Sequence, residues 1–355
     1  PSSVESLSNV LNYNFGTYYN DYHNGSSTRS YLTVDNTTSL REHHININGS
    51  FYGIGDSNGT SKLYRAMYER DYDGYRLALG MLDTWNVQSI ASLNALNGGK
   101  IYGVSYGNKG STVVENTALS LTPITVFLPA AGEVHVFRDG RLLSVQNFNM
   151  GSYEIDTSRF PYGVYDVTVD IVVNGRTINS RISRVNKIFA RQQAAGIDQL
   201  SWQLFGGSLD YDRVSYKRNH YQDLGNEQTW IAGGAASMTL AILSGLGLKS
   251  TLYGFDNNAV NETDVTLNVN EYVSIGNQTL VANDSSWRNI SNINLNVPEG
   301  YGSLWASRED SKIGDRLPLQ ERDNYSIGGT LNLGKFIPHG GSLTVSQTEN
   351  RYSGN

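Results

Sequence analysis

The middle of the chain, residues 122–188, limits the possible folds more than any other stretch, because it contains two hairpin signals in close succession. Asp139-Gly140 and Asn174-Gly175 each stand between two runs in which apolar and polar residues alternate. Such dipeptides are the strongest short-range signal for a β-hairpin, since both central turn positions need positive φ. The segment therefore predicts a small β-sandwich in the middle of the sequence.

The first strand of the second hairpin shows the alternation most clearly. Its odd-numbered residues from Tyr165 to Val173 are apolar, whereas the first three even-numbered residues are Asp, Thr and Asp. A strand of this kind has one buried face and one wet face. Pro161 and Gly163 punctuate the turn that joins the two hairpins.

Both flanks of this segment are also rich in strand signals, but their strands are longer than the ~5–6 residues usual in soluble sheets. The candidates that precede it are residues 9–20, 28–36, 41–54, 62–70, 75–81 and 100–108. Those that follow are residues 199–209, 213–221, 228–240, 246–256, 264–275, 290–297, 302–309, 325–335 and 341–351. Asn recurs on one face of these strands although it is depleted in ordinary strands.

The flanking strands have features of a membrane barrel. A strand of ~10 residues or more can cross a bilayer at a tilt. The apolar face carries Tyr, Leu and Phe near the strand ends, and the polar face is small or Asn-rich with isolated charges at Arg65, Glu69 and Arg76. We therefore predict an all-β chain, a partial transmembrane antiparallel β-barrel with an inserted β-sandwich. A large soluble β-protein stays open, since soluble sheets alternate as well.

Two stretches could form helices instead. Residues 228–248 carry no charge, and a long apolar run is a candidate for a transmembrane helix. The run contains several Gly and Ser residues and divides near Ser244-Gly245 into two halves of strand length, so we predict a barrel hairpin. Residues 83–97 could hold a short helix.

The sequence lacks the usual signatures of catalysis and cofactor binding. There is no Cys, the six His are scattered, and no nucleotide, hydrolase or metalloprotease motif occurs. The acidic pairs Asp210/Asp212 and Glu309-Asp310 are interpreted as solvated loop charge. We predict no catalytic residue, no metal and no cofactor. The net charge of −6 gives no electrostatic footprint for nucleic acid.

Residues 132–144 and 153–166 resemble the plug domain of outer-membrane ushers, which belong to the chaperone–usher pathway of fimbria assembly. The sequence of these two segments is most similar to the alternate, colonisation-factor type of the family. Residues 11–15 are similar to the start of an usher barrel. In that family the plug is inserted between the sixth and seventh barrel strands. The resemblance implies barrel strands in residues 1–110, a plug in 111–190 and further barrel strands in 191–355.

The resemblance also implies a function and a location. Such a pore lies in the bacterial outer membrane, receives complexes of periplasmic chaperone and pilus subunit, and passes the subunits outward while the plug gates the lumen. Its partners are those complexes, the pilus subunits and outer-membrane lipid. A passive porin with an inserted constriction domain and a soluble cell-surface adhesin remain alternatives.

Candidate gating residues lie in two turns of the plug. Arg138, Asp139, Gly140 and Arg141 are expected to contact the lumen wall, with Arg65, Glu69 and Arg76 as possible wall partners. The alternative is that Asp139-Gly140 only makes the turn and the arginines are solvated. Pro161, Tyr162, Gly163 and Tyr165 are expected to fix a turn and the sandwich core.

The extent of the chain departs from the family. An usher barrel has roughly two dozen strands, near the top of the known range, and about fifteen are recognisable here. The first residues contain neither an initiating Met nor a signal peptide. We therefore expect a piece of a longer protein whose barrel is incomplete.

Overall fold

A computed structural model describes residues 7–350 of the chain, apart from residues 23–24, 53–59, 84–90, 97–98, 109–119, 121–122, 139–140, 159, 161–162, 188–199, 216–221, 315, 318, 320 and 339. Almost all of the described residues lie in β-strands or in the turns between them. None of the helices found in this part of the chain has the length and apolar character needed to cross a membrane.

The wall is the name used here for fifteen described strands of one large sheet, six before the central domain and nine after it. The first six are β1 (Leu7–Tyr22), β2 (Gly25–Leu40), β3 (His43–Tyr52), β4 (Thr60–Tyr72), β5 (Tyr75–Asp83) and β6 (Gly99–Asn108). The central domain holds β7 to β12, so the wall continues with β13 (Ser201–Ser215), β14 (Gln222–Leu240), β15 (Leu246–Phe255), β16 (Asn258–Asn268), β17 (Val273–Ala282), β18 (Trp287–Val297), β19 (Gly302–Lys312), β20 (Arg322–Asn332) and β21 (Ser342–Asn350).

Successive wall strands pair antiparallel with their sequence neighbours. The wall is continuous across the insertion because β6 pairs directly with β13, with Gly103 opposite Gly207. The glycines allow this close approach, since a Cβ at either position would overlap the backbone of the other strand. The insertion therefore leaves the wall and returns to it without breaking the strand order.

The strand predictions are confirmed for most of the wall, and two are wrong. Residues 213–221 do not start a new strand, since β13 continues to Ser215 and residues 216–221 lie outside the described part. Residues 264–275 span the end of β16, a turn and the start of β17. The sequence did not reveal that turn because residues 269–272 contain neither Gly nor Pro.

The uncharged stretch forms a hairpin, as predicted. β14 ends at Leu240 and β15 begins at Leu246, and the connection uses positive φ at Leu243 and Gly245. The short helix proposed for residues 83–97 is absent from its described part, because residues 91–96 are turn and irregular backbone. Residues 84–90 and 97–98 lie outside the described part.

The central domain is a small β-sandwich. Its strands are β7 (Thr125–Leu128), β8 (Gly132–Arg138), β9 (Arg141–Phe148), β10 (Gly151–Glu154), β11 (Gly163–Val173) and β12 (Arg176–Lys187). The alternating residues of β11 pack with β7 and β8 in a core that includes Val126, Val134 and Val169. Asn174 and Gly175 have φ of 54° and 75°, as the predicted hairpin turn requires. Asp139 and Gly140 lie outside the described residues.

The two faces of the wall differ in the expected way. On the outer face large apolar side chains are exposed, among them Tyr13 (68%), Phe15 (64%) and Leu252 (62%). The inner face, on which the central domain lies, carries polar residues such as Lys249 and Glu262. An apolar exterior and a polar interior are typical of membrane-spanning barrels.

Candidate functional site: the contact between the central domain and the wall

Four charged side chains of alternating sign join the central domain to the wall. Arg184 of β12 donates from Nη2 to both carboxylate oxygens of Glu309 on β19, each at 2.5 Å. Its Nη1 donates to Asp166 of β11 at 3.1 Å, and Arg322 of β20 lies 3.4 Å from the other Asp166 oxygen. Each charge therefore faces charges of the opposite sign across the interface.

The strand registers explain why these four side chains meet. Asp166 lies directly opposite Arg184 in the β11–β12 hairpin. On the wall, Glu309 pairs with Asn324 and Ser311 with Arg322, so Glu309 and Arg322 are diagonal neighbours on the inner face. Diagonal positions on adjacent strands lie within reach of long side chains.

The pair between Arg184 and Glu309 is the more important of these contacts. The Glu309 side chain is 10% exposed, whereas that of Asp166 is 45% exposed. Exposed ion pairs are worth ~0–1 kcal/mol, but an arginine–carboxylate contact with restricted water access is stronger, because hydrogen bonds between charged groups are about twice as strong as neutral ones. Removing one partner would leave a partly buried charge without compensation.

A second contact lies on β2 and is mainly apolar. Tyr31 is 3% exposed and packs with Phe137, Leu142 and Val172 of the central domain. The His135 ring stands edge-on to the Tyr31 ring, with centroids 5.3 Å apart. The Tyr31 side chain extends over Gly16 on β1, where a Cβ would overlap the ring. The central domain thus contacts inner-face residues at both β2 and β19–β20.

A backbone contact adds to these side-chain contacts. In the described residues β12 meets the free edge of β1 in a short parallel bridge, with Arg176 opposite Tyr19. One isolated bridge fixes orientation but contributes little binding free energy. The side-chain contacts therefore carry most of the attachment.

The predicted gating turn is only partly described. Arg138 places its guanidinium 3.9 Å from the ring centre of Tyr165, which is a cation–π contact inside the central domain. Tyr165 is buried in the sandwich, and burial raises its pKa well above the usual range. Arg141 begins β9, and its side chain lies outside the description, as do Asp139 and Gly140.

The second predicted turn is described at one end. Gly163 is the first residue of β11. Pro161 and Tyr162 lie outside the described residues. The role assigned to this turn stays a prediction.

The predicted wall charges lie on the inner face of β4 and β5. Arg76 pairs with Glu69 at 3.4 Å and donates from Nη2 to Asp71 at 2.7 Å. His44 on β3 lies 3.4 Å from Asp71. Arg65 is 4% exposed in the same region. Arg76, Glu69, Asp71 and His44 form a charge network within the wall. The pairing of Arg65, Glu69 and Arg76 with the central domain stays a prediction.

Sequence reasoning missed the charges that do bridge the two parts. Glu309 was interpreted as solvated loop charge, which is wrong, because it lies inside β19 on the inner face. The pair Asp210/Asp212 also lies in a strand, β13, and shares Asn226 as a hydrogen-bond donor. Asp210 and Asp212 alternate with Leu209 and Tyr211, which was the available signal for that pair, whereas Glu309 stands between Arg308 and Asp310 and has no such signal.

A buried lysine closes one end of the central domain. Lys187 is 1% exposed, and its Nζ donates to the carbonyl oxygens of Thr157 at 3.1 Å and Phe160 at 3.0 Å, and to that of Ser158. Burial lowers the pKa of Lys187 to about 8, although Asp156 acts in the opposite direction. The ammonium thus holds the 157–160 turn against the last strand of the sandwich.

Known proteins match both the central domain and the whole chain. A family profile described as "TcfC: E-set like domain" matches residues 120–187. The protein named "Probable outer membrane usher protein EcpC" from Escherichia coli O127:H6 (strain E2348/69 / EPEC) is 48% identical over 351 residues, which are 99% of this chain. That of Escherichia coli O157:H7 has the same identity and coverage. The chain is a homologue of outer membrane ushers.

The homologues are longer than this chain. It spans 41% of the length of the curated usher proteins that it matches. Two solved structures of the PapC translocation pore, the P pilus usher, have TM-scores of 0.51 and 0.52 at 13% and 14% identity. They cover 98% and 97% of this chain, which covers 78% and 86% of them. At this identity the likeness concerns the fold alone.

Proposed function

We propose that this chain forms part of an outer-membrane pore that translocates pilus subunits and assists their assembly, with the central domain as the gate. The domain division that we propose is the predicted one, namely barrel strands in 1–110, the gate in 111–190 and barrel strands in 191–355. The observation that carries the proposal is the attachment of the central domain to inner-face residues at both Tyr31 and Glu309. A domain held on the inside of a barrel wall is in position to close the lumen.

The proposed activity is transport without catalysis. We propose that the cargo consists of pilus subunits and that periplasmic chaperones deliver it. Two observations support this cargo: the homologues are named outer membrane ushers, and the fold is like that of a P pilus usher pore. Pilus subunits bind by donating a β-strand to a neighbour, so strand exchange can supply the driving force without a nucleotide. The contacts of the central domain with the wall at Tyr31 and at Glu309 must then break before cargo enters.

Conductance in planar lipid bilayers tests the gate. Deletion of residues 122–188 from the full-length protein should raise the ionic conductance, because the deletion removes the domain that occupies the lumen. The same variant should lose regulated assembly of surface fimbriae in cells. Unchanged conductance would refute the gate.

The passive-pore alternative gives a different result in the same experiment. A porin with a constriction domain would conduct steadily with that domain present, and fimbriae on the cell surface would be unaffected by its deletion. Fimbriation of cells that lack the gene, scored after complementation, separates the two.

A further inference from the structure

Residues 91–96, the described part of the connection between β5 and β6, pack on the inner face of the wall. Leu93, Ala95 and Leu96 are buried, with 3% or less of each residue exposed. They share one apolar core with residues from the connection between β19 and β20 and with inner-face residues of the wall. We call residues 91–96, together with Ile313, Leu317 and Leu319, the ledge. The wall residues beneath it include Leu209, Ile231, Tyr253, Phe255, Val260 and Leu280.

A buried carboxylate holds the first part of the ledge. Glu262 of β16 accepts hydrogen bonds from the backbone N–H of Asn94 at 2.9 Å and from its side-chain amide at 2.7 Å. The Tyr253 hydroxyl donates to the same carboxylate at 2.5 Å and accepts from the N–H of Ala95 at 3.2 Å. These hydrogen bonds connect Asn94 and Ala95 to β15 and β16.

Lys249 and Thr251 of β15 fix Ser92, which lies two positions before Asn94. Lys249 donates to the Ser92 hydroxyl at 2.7 Å while lying 3.3 Å from Asp264. The Ser92 N–H donates to Thr251 at 3.1 Å. These contacts join residues about 160 positions apart in sequence, so the ledge is held by β15 and β16 rather than by its own strands.

The second part of the ledge is held by Asp284 in the turn between β17 and β18. Its carboxylate accepts from the backbone N–H groups of Arg316 at 2.8 Å and Leu317 at 3.1 Å. Arg316 in turn donates from Nε to the Asn258 side chain at 3.1 Å. Both parts of the ledge are therefore fixed to the same side of the wall.

The ledge and the central domain have separate cores. Among the described residues, the apolar core of the ledge contains no residue of the central domain, whose own core and contact at Tyr31 form two other clusters. The central domain can therefore leave without removing the packing of the ledge. The central domain is held at Tyr31 and Glu309, whereas the ledge is held by its own apolar core with the wall.

We propose that the ledge remains on the wall when the central domain moves aside and sets the bore of the open pore, so that it limits the size of the cargo. Glu262 is the positioning residue of this ledge. The proposal rests on the proposed function, and it assigns the two connections a role in selecting cargo by size.

Crosslinking distinguishes a fixed ledge from a moving one. The sequence has no Cys, so introduced pairs react without background from this chain. A crosslink between Ser92→Cys and Thr251→Cys should leave fimbrial assembly intact. One between Tyr31→Cys and His135→Cys should abolish it, because it ties the gate to the wall. Loss of assembly with the Ser92–Thr251 crosslink, reversed by reduction, would overturn the proposal.

Conductance of the protein lacking residues 122–188 gives a second, independent measurement. Glu262→Ala should raise its single-channel conductance and replace one discrete level by several, because residues 91–96 lose their anchor. Glu262→Gln keeps an acceptor oxygen and should restore most of the single level. Thr263→Ala, on the outer face of the same strand, is the matched control and should change nothing.

The outcomes separate the two proposals. If the protein lacking residues 122–188 fails to conduct at all, the proposed gate is wrong whatever the ledge does. If it conducts and Glu262→Ala has the conductance of the parent, the ledge proposal is wrong and the gate stands. Heat-modifiable mobility in gels verifies that each variant forms a folded barrel.

Discussion

At the scale of single residues, a few charges lie between the central domain and the wall and join them. Arg184 and Glu309 belong to different parts of the chain, and both carboxylate oxygens of Glu309 accept from Nη2 of Arg184. Such a pair restricts the orientation of the central domain and can be broken without unfolding it. This combination suits a contact that must hold at rest and release when cargo engages.

Removal of this pair should loosen the gate. We expect Arg184→Ala to increase the frequency of spontaneous opening in bilayer recordings, because Glu309 loses a partner worth ~1–3 kcal/mol. Arg181→Ala is the matched control, since Arg181 lies on the same strand and donates to Thr125 inside the central domain. Equal opening frequencies for the two alanine variants would contradict this assignment.

The buried lysine gives the central domain a pH dependence. The folded pKa of Lys187 is about 8, below its value of 10.5 in an unfolded chain. Between these values the unfolded state binds more protons, so the free energy of unfolding should rise as pH increases from about 8 towards 10.5. Resistance of the central domain to proteolysis in urea measures the change. Lys187→Met should abolish this component of the pH dependence, and an unaltered profile would contradict the assignment.

At the scale of elements, hairpin turns decide the register of the central domain. Asn174 and Gly175 take positive φ, which places Asp166 opposite Arg184 at the other end of the same hairpin. A change of register by one residue would reverse the face of every side chain in β11 and β12. The turn therefore controls whether the interface charges face the wall.

A substitution at that turn tests the connection. Gly175 has φ of 75°, where a Cβ costs ~1–2 kcal/mol. Gly175→Ala should lower the urea midpoint for proteolysis of the central domain by the corresponding amount. Gly254→Ala in β15 serves as the comparison, because its φ is not positive, and it should leave that midpoint unchanged. No shift for Gly175→Ala would mean that the turn does not limit stability.

At the scale of the whole molecule, the alternation of the wall separates lipid from lumen. Ile293 and Asn294 are neighbours on β18, and their side chains point to opposite faces. Ile293 is exposed on the apolar outer face, whereas Asn294 lies on the inner face with Ile290 and Asn292. A charge should therefore be costly at one position and tolerated at the next.

Arginine at these two positions measures that difference. Ile293→Arg should reduce the yield of membrane-inserted barrel, since a lipid-facing arginine costs up to ~2–4 kcal/mol. Asn294→Arg should insert normally, because its side chain faces water. The amount of heat-modifiable protein in outer-membrane fractions is the measurement. The reverse order of yields would mean that the two faces are assigned the wrong way round.

The sequence by itself determined the elements and the fold class. Asn174-Gly175 predicts its hairpin and the alternation around Tyr165 predicts the sandwich strand, because both are local rules of backbone geometry. The long strands before and after the central domain likewise follow from period-two patterns. The strand start predicted at Arg213 was wrong, because β13 continues through it to Ser215 and the polar composition there is also that of a loop.

Only the tertiary structure decided which side chains meet. Glu309 and Arg184 are 125 residues apart, and the ledge joins Asn94 to Glu262 across 168 residues. No local pattern encodes such contacts, since they depend on how the strands are registered around the wall and on where the inserted domain lies. The sequence alone thus predicted that a sandwich interrupts a barrel wall, and the packing of the two determined which charges connect them.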